Sequence, residues 1–144
     1  IAQTRFDAVC LLQPTAPLRT AAMIDTTCTE FINSGADSLV SVAVVPHQYH
    51  PDWVLVQAQQ GLLKWASGVS KPPTRRQDLR PAFYRDGSYL TRTNVIEETN
   101  SLYGRTIREF EVAAEDSVNV DTPADVARAE NLLAKRSLTV GQAK

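Results

Sequence analysis

What the 144-residue sequence lacks narrows its identity before any motif is read. Lys and Arg number 15 against 16 Asp and Glu, a net charge of −1, so the basic excess typical of nucleic-acid binders is missing. No apolar run approaches the roughly 18 residues of a membrane span, and no charged-then-apolar leader opens the chain. Cysteine occurs only at Cys10 and Cys28, which excludes a disulfide framework or a cysteine zinc site. A Gly-rich phosphate loop, a Ser nucleophile elbow and a Walker lysine motif are also absent. The first residue is Ile1, and a core-like strand follows within six residues, so the sequence reads as entered in the middle of a fold. What remains is good core material. Hydrophobic residues make up 43% and charged residues 22%, the profile of a soluble globular domain expected in the cytoplasm.

Strand and helix signals alternate at the start. Residues 6–12 form a nearly continuous apolar run, the pattern of a strand buried on both faces. Pro14 and Pro17 then forbid further strand or helix. A helix is predicted from Ala21 to Asn33, capped by Thr20 and stopped by Gly35, with Met23, Ile24, Thr27, Cys28 and Phe31 at helical spacing. Ser38 to Val45 is a second β-branched run. Strand, helix, strand predicts an α/β fold with a right-handed crossover in a parallel sheet. Residues 53–56 and 62–65 flank Gln59-Gln60-Gly61 as a hairpin, and a Pro- and Arg-rich loop follows to Arg85. Later elements are a short strand at 88–91, a weak helix at 94–100, a strand at 105–112 and a strand-like Val118-Asn119-Val120. A last helix follows, with Thr122 as cap, Pro123 at its first position and Asp125 at its third. Val126, Ala127, Ala129, Leu132 and Leu133 predict its buried face.

Three stretches carry candidate chemistry. Gln13 directly follows a strand, where open sheets bind ligands, and its amide can hydrogen-bond a polyhydroxylated ligand; Arg19 nearby can pair with an anion or cap carbonyls. Arg75, Arg76 and Gln77 sit between Pro73 and Pro81, and guanidinium forks match carboxylate and phosphate. Asn119 and Asp121 precede a helix and offer oxygen donors for Mg²⁺, although Asp121 can equally serve as a helix cap beside Asp125. His47 and His50, flanked by Pro46 and Pro51, read as a loop before they read as metal ligands. Charge is segregated: six basic residues against two acidic ones between Lys71 and Arg92, then nine acidic against three arginines between Glu97 and Glu130. That pattern suits an anionic substrate plus a divalent metal, or ordinary surface scatter.

Taken in order, LLQPTAPLR, then RRQDL with Tyr84 and Asp86-Gly87, then SVNVDTPADVARAE resemble the CMP-sugar-acid synthetases, the acylneuraminate cytidylyltransferases. The similarity runs from about Phe6 to Leu133. It implies a Rossmann-like, GT-A-like nucleotidyltransferase fold, present in part across residues 1–144, with residues 46–77 as a dimerisation arm and cationic loop. It implies a Mg²⁺-dependent transfer of CMP from CTP to a 2-keto-sugar acid such as sialic acid, releasing pyrophosphate, in a homodimer with no nucleic-acid or membrane partner. By resemblance, Gln13, Arg19, Arg75, Arg76, Gln77, Tyr84 and Asp86 bind substrate, one arginine of the doublet acting across the dimer interface, and Asp121 with Asn119 binds the metal. No residue is assigned as catalytic.

The chain departs from the family pattern at several places. Many members have two aspartates where Asn119 and Asp121 stand, a serine at Ala16 and Asn-Gly at Asp86-Gly87, and one more residue between Gly87 and Tyr89. The family's Gly- and basic-rich nucleotide loop has no counterpart, which corresponds to roughly 70–80 residues of a typical domain. The expectation is therefore a chain inactive alone. The alternative is a truncated, non-catalytic dimeric module that binds a sugar acid or a protein.

Overall fold

The structure, a computed structural model, describes residues 5–141, and the side chains of residues 5–136. Ile1, on which the reading of an interrupted start rests, lies outside the described residues. The chain divides into two compact units, one formed by residues up to Ala43 and from Arg85 onward, the other by Val44–Tyr84.

A four-stranded sheet organises the first unit. Its strands are β1 (Ala8–Leu12), β2 (Ser38–Val44), β5 (Phe83–Arg92) and β6 (Ile107–Glu111), in the order β1-β5-β2-β6. β1 and β5 are antiparallel, pairing Ala8 with Arg92 and Leu12 with Ser88, while β2 and β6 are parallel. The sheet is thus mixed, and β5 lies between the two strands expected to form a simple crossover. β5 is also far longer than the predicted 88–91 segment. The strand expected to be buried on both faces is instead an edge, with Val9 43%, Leu11 40% and Leu12 37% exposed. Its apolar run matches a central strand in composition, but among the described residues only β5 pairs with it.

Helix α1 (Ala21–Ser34) begins where predicted: Thr20 Oγ1 accepts from Met23 N at 3.2 Å, and Gly35 closes the helix in the left-handed conformation. Phe31 of α1 packs with Leu39 of β2 and Leu90 of β5, joined by Ala8, Cys28 and Phe110. Strand alternation sends the next residues the other way, so Val40 and Val42 pack with Tyr89 and Leu102. A short helix α2 (Thr93–Thr99) follows β5.

The last helix, α3 (Pro123–Gly141), starts with the predicted capping box. Asp125 Oδ2 accepts from Thr122 N at 2.8 Å and Thr122 Oγ1 at 2.7 Å, and these bonds hold the Asp125 carboxyl below the usual range. The buried stripe is narrower than predicted. Ala129 and partly buried Leu132 join Leu18, Val118 and Val120, whereas Val126 and Leu133 are exposed. Val118-Asn119-Val120 forms no strand; Val120 N donates to Thr15 O at 2.8 Å, tying this segment to the loop after β1. Among the described residues no helix is long and apolar enough to cross a membrane.

The second unit contains the predicted hairpin, β3 (Leu55–Gln57) against β4 (Leu63–Trp65). Its loop is stapled by His50, which is buried. The His50 Nε2 donates to Arg80 O at 2.9 Å, and its Nδ1 accepts from Asp52 N at 3.1 Å. Both ring nitrogens are consumed, so this histidine serves the loop. Trp53 Nε1 donates to Pro73 O at 2.7 Å, anchoring the Pro-rich segment.

Candidate functional site

Three chain segments of the first unit meet in one open pocket. The loop after β1 supplies Gln13 and Thr15, β5 supplies Arg85, Gly87 and Tyr89, and the approach to α3 supplies Asn119 and Asp121. The cavity holds about 250 Å³, room for about eight waters at roughly 30 Å³ each, or for one sugar-sized molecule.

The floor is set by backbone bonding. Gln13 N donates to Gly87 O at 2.8 Å, locking the loop onto β5. Arg19 then bridges the two, donating to Gln13 O at 2.9 Å, Ser88 Oγ at 3.1 Å and Gly87 O at 3.3 Å. Arg19 therefore acts beneath the pocket as a positioning residue. Gly87 adopts φ +85°, and a Cβ there would lie 3.2 Å from Ala16 Cβ and 3.3 Å from Gln13 Oε1. Glycine thus lets the Gln13 amide lie over the strand.

Alternation along β5 sorts its side chains. Arg85, Gly87 and Tyr89 line the open pocket, while Asp86, Ser88 and Leu90 line a closed interior with Cys10, Met23 and Phe110. That interior has only about 10 Å³ of free space. Asp86 accepts from Ser117 Oγ at 2.5 Å, and burial raises its carboxyl above the ordinary range, with Ser117 and Arg19 opposing. Asp86 is thus no part of the open pocket. The Asp86-Gly87 pair, a turn signal by composition, is strand in the fold.

Two site residues escaped the motif reading. Arg85 donates to Tyr103 OH at 3.0 Å, and Tyr103 stands edge-on to Tyr89 at 6.2 Å between ring centres. The bond to Tyr103 raises the Arg85 pKa further, and burial raises that of the Tyr89 phenol. The signal that could have found them is parity: both fall on the Gly87 face of a strand.

Asn119 Nδ2 donates to Asp121 Oδ2 at 2.5 Å, which leaves the Asn119 amide oxygen and the second Asp121 oxygen as acceptors. Among the described residues no group of three or more His, Cys, Asp or Glu converges. Among the described residues Asp121 is thus the pocket's single carboxylate. One carboxylate with neutral oxygens suits Mg²⁺, which keeps waters and takes further ligands from phosphates. The remaining sequence candidates lie in the second unit. Arg75 is held by Asp78 through Nε at 2.8 Å and Nη2 at 3.1 Å, beside exposed Arg76 and Gln77 in a 3₁₀ turn, and Tyr84 is the second residue of β5.

No family model matches the chain. Among solved structures, the chain is similar to CMP:2-keto-3-deoxy-manno-octonic acid synthetase complexed with CTP, with a TM-score of 0.61 and 18% identity. The match covers 92% of this chain and 64% of the other. The chain shares the α/β fold of that structure and spans a little under two thirds of its length. At this identity the likeness speaks to fold.

Proposed function

We propose that this chain is the sugar-acid-binding portion of a cytidylyltransferase that moves CMP from CTP to a 2-keto-sugar acid. The observation that carries the reading is the convergence of Gln13, Thr15, Arg85, Asn119 and Asp121 in one sugar-sized pocket, on a fold shared with a CTP-bound synthetase. Eight- and nine-carbon acids, sialic acid among them, are the candidate substrates.

In the reaction the anomeric hydroxyl oxygen of the acid bonds to the α-phosphorus of CTP, its proton leaves, and the bond to the departing pyrophosphate breaks. The protein's part is orientation and charge neutralisation. Gln13 and Asn119 offer amide groups to sugar hydroxyls, and Arg19 holds the loop bearing Gln13. Asp121, with the Asn119 amide oxygen, would hold Mg²⁺, which would neutralise phosphate charge. The homodimer is supported by the hairpin of the second unit, where Leu62 and Leu63 are 66% and 63% exposed beside exposed Leu55 and Val56. Arg75 and Arg76 would then serve a neighbouring protomer's substrate.

The test has two arms. Calorimetric titration with 2-keto-3-deoxy-manno-octonic acid or N-acetylneuraminic acid should show saturable binding that Gln13→Ala weakens. Pyrophosphate release from CTP, Mg²⁺ and acid should be absent with this chain alone, since none of its segments offers a Gly-rich phosphate cradle. Absence of binding to every such acid would overturn the reading.

A further inference from the structure

Building on the sugar-acid reading, we propose that Arg85 is the residue that binds the ligand's carboxylate, within its own protomer, with Tyr103 fixing the guanidinium. Four observations converge on it. Arg85 is the one cation among the described residues lining the pocket. Its position on β5, two residues before Gly87 and four before buried Tyr89, places it on the pocket face through strand parity. Among the described residues it enters no ion pair, and one guanidinium nitrogen donates to Tyr103 OH. Tyr103 is itself braced edge-on by Tyr89, whose ring packs with Val40 and Val42 of the sheet.

The other arginines are occupied differently. Arg19 spends its donors on Gln13 O, Gly87 O and Ser88 Oγ, and Arg75 presents two nitrogens to Asp78. A guanidinium has five N–H donors in a fork that matches a carboxylate. Arg85 is held by Tyr103 and by the neighbouring Tyr89 phenol, and its remaining donors face the pocket. Within the same pocket, with no cation bound, Asp121 repels a ligand carboxylate, so the two charges orient an acid in one direction, with its carboxylate toward Arg85. A neutral sugar of similar shape would lack that anchor. Arg85 is thus a specificity residue, choosing acids over uncharged sugars.

The experiment titrates the full chain with 2-keto-3-deoxy-manno-octonic acid and with its 1-carboxamide. The parent, Arg85→Gln, Arg85→Lys, Tyr103→Phe and the surface control Arg108→Gln are compared. The parent should favour the acid over the amide by at least about tenfold, and Arg85→Gln should lose about 10- to 100-fold for the acid alone, collapsing the ratio. Arg85→Lys should recover part of the ratio, because charge returns without the fork. Tyr103→Phe should reduce it by a few-fold, and Arg108→Gln should leave it unchanged. The ratio separates ligand recognition from misfolding, since a variant that fails to fold loses both ligands together; Arg85→Lys then carries the test. Retention of the acid preference in Arg85→Gln, or equal parent affinity for acid and amide, overturns the assignment while leaving the sugar-binding reading intact. A parent that binds neither ligand overturns both.

Discussion

Replacing Arg19 with methionine keeps the apolar stem and removes the guanidinium that ties the loop after β1 to β5. The three bonds lost measure 2.9, 3.1 and 3.3 Å, and only the first lies near the usual N–H···O optimum. A hydrogen bond from a charged donor contributes ~1.5–3 kcal/mol when well formed. Here the two backbone acceptors keep other partners, because Gly87 O still receives Gln13 N at 2.8 Å and Gln13 O receives Ala16 N at 3.4 Å. No backbone carbonyl is orphaned, and Arg19 is only half-buried, so the net loss should be about 2 kcal/mol rather than the sum of three full bonds. At ~2–4 °C per kcal/mol for a domain near this size, the melting temperature should fall by about 4–8 °C. Differential scanning fluorimetry and urea unfolding measure the loss, and titration with the sugar acid should show weaker binding because Gln13 loses its support. Arg19→Lys should fall between the two, since one ammonium cannot span three acceptors in this geometry. A melting temperature within about 1 °C of the parent, with unchanged ligand affinity, would refute the view that Arg19 holds the pocket floor.

Gly87→Ala should cost about 1–2 kcal/mol, because φ +85° strains an alanine, and should displace the Gln13 amide that its Cβ would meet at 3.3 Å; unfolding and acid titration read the two effects separately. Acid should weaken the fold. Asp37 is held below the ordinary carboxylate range chiefly by the Thr106 backbone N–H, joined by the Thr106 side chain and the Arg105 backbone N–H, and Asp125 by the Thr122 hydroxyl and backbone. A depressed carboxyl stabilises the fold above its unfolded value near ~3.9 and loses that contribution as pH falls through its folded value. Urea midpoints from pH 6 down to pH 3 should therefore fall below about pH 4, with a shallower acid limb in Asp37→Asn. Asp86 has the opposite sign, so Asp86→Asn should remove a charge that opposes folding at neutral pH and leave the neutral-pH midpoint equal or higher. Leu62→Asp with Leu63→Asp should convert a dimer to a monomer in sedimentation at micromolar concentration; a parent already monomeric there would refute the hairpin as a dimer arm.

Helix termini were readable because their signals are local. Thr20, Gly35 and the Thr122-to-Asp125 box each act within a few residues of the end they define. Sheet order was not, because pairing of Ala8 with Arg92 joins residues more than eighty apart, and no periodicity within β1 tells an edge from a centre. The same limit explains why residues 9–12 look buried and are exposed. At the site, Gln13, Asn119 and Asp121 stood out because each directly follows or precedes an element. Arg85 did not, since the adjacent Arg75 and Arg76 are more conspicuous as a doublet and Asp86-Gly87 carries the composition of a turn. β5 nevertheless runs straight through that pair, with Gly87 O accepting from Gln13 N, and only the resulting strand parity assigns Arg85 a face.

That parity links the hydrophobic core to the chemistry of the pocket. Leu90 faces α1 in the Phe31 and Leu39 cluster, while Tyr89 faces Val40 and Val42. Ser88 N donates to Ser41 Oγ at 2.9 Å, which further fixes β5 against β2. With 88 and 90 committed inward, 85, 87 and 89 must face the pocket and 86 the interior. A slip of one residue would exchange these sets, driving Arg85 into a space of about 10 Å³ and Asp86 into the pocket beside Asp121. The buried cation would lack a place, and the pocket would become doubly acidic, repelling the acids it is proposed to bind. Register is thus enforced by apolar packing and polarity together, and the charge pattern of the pocket follows from core residues that touch no ligand.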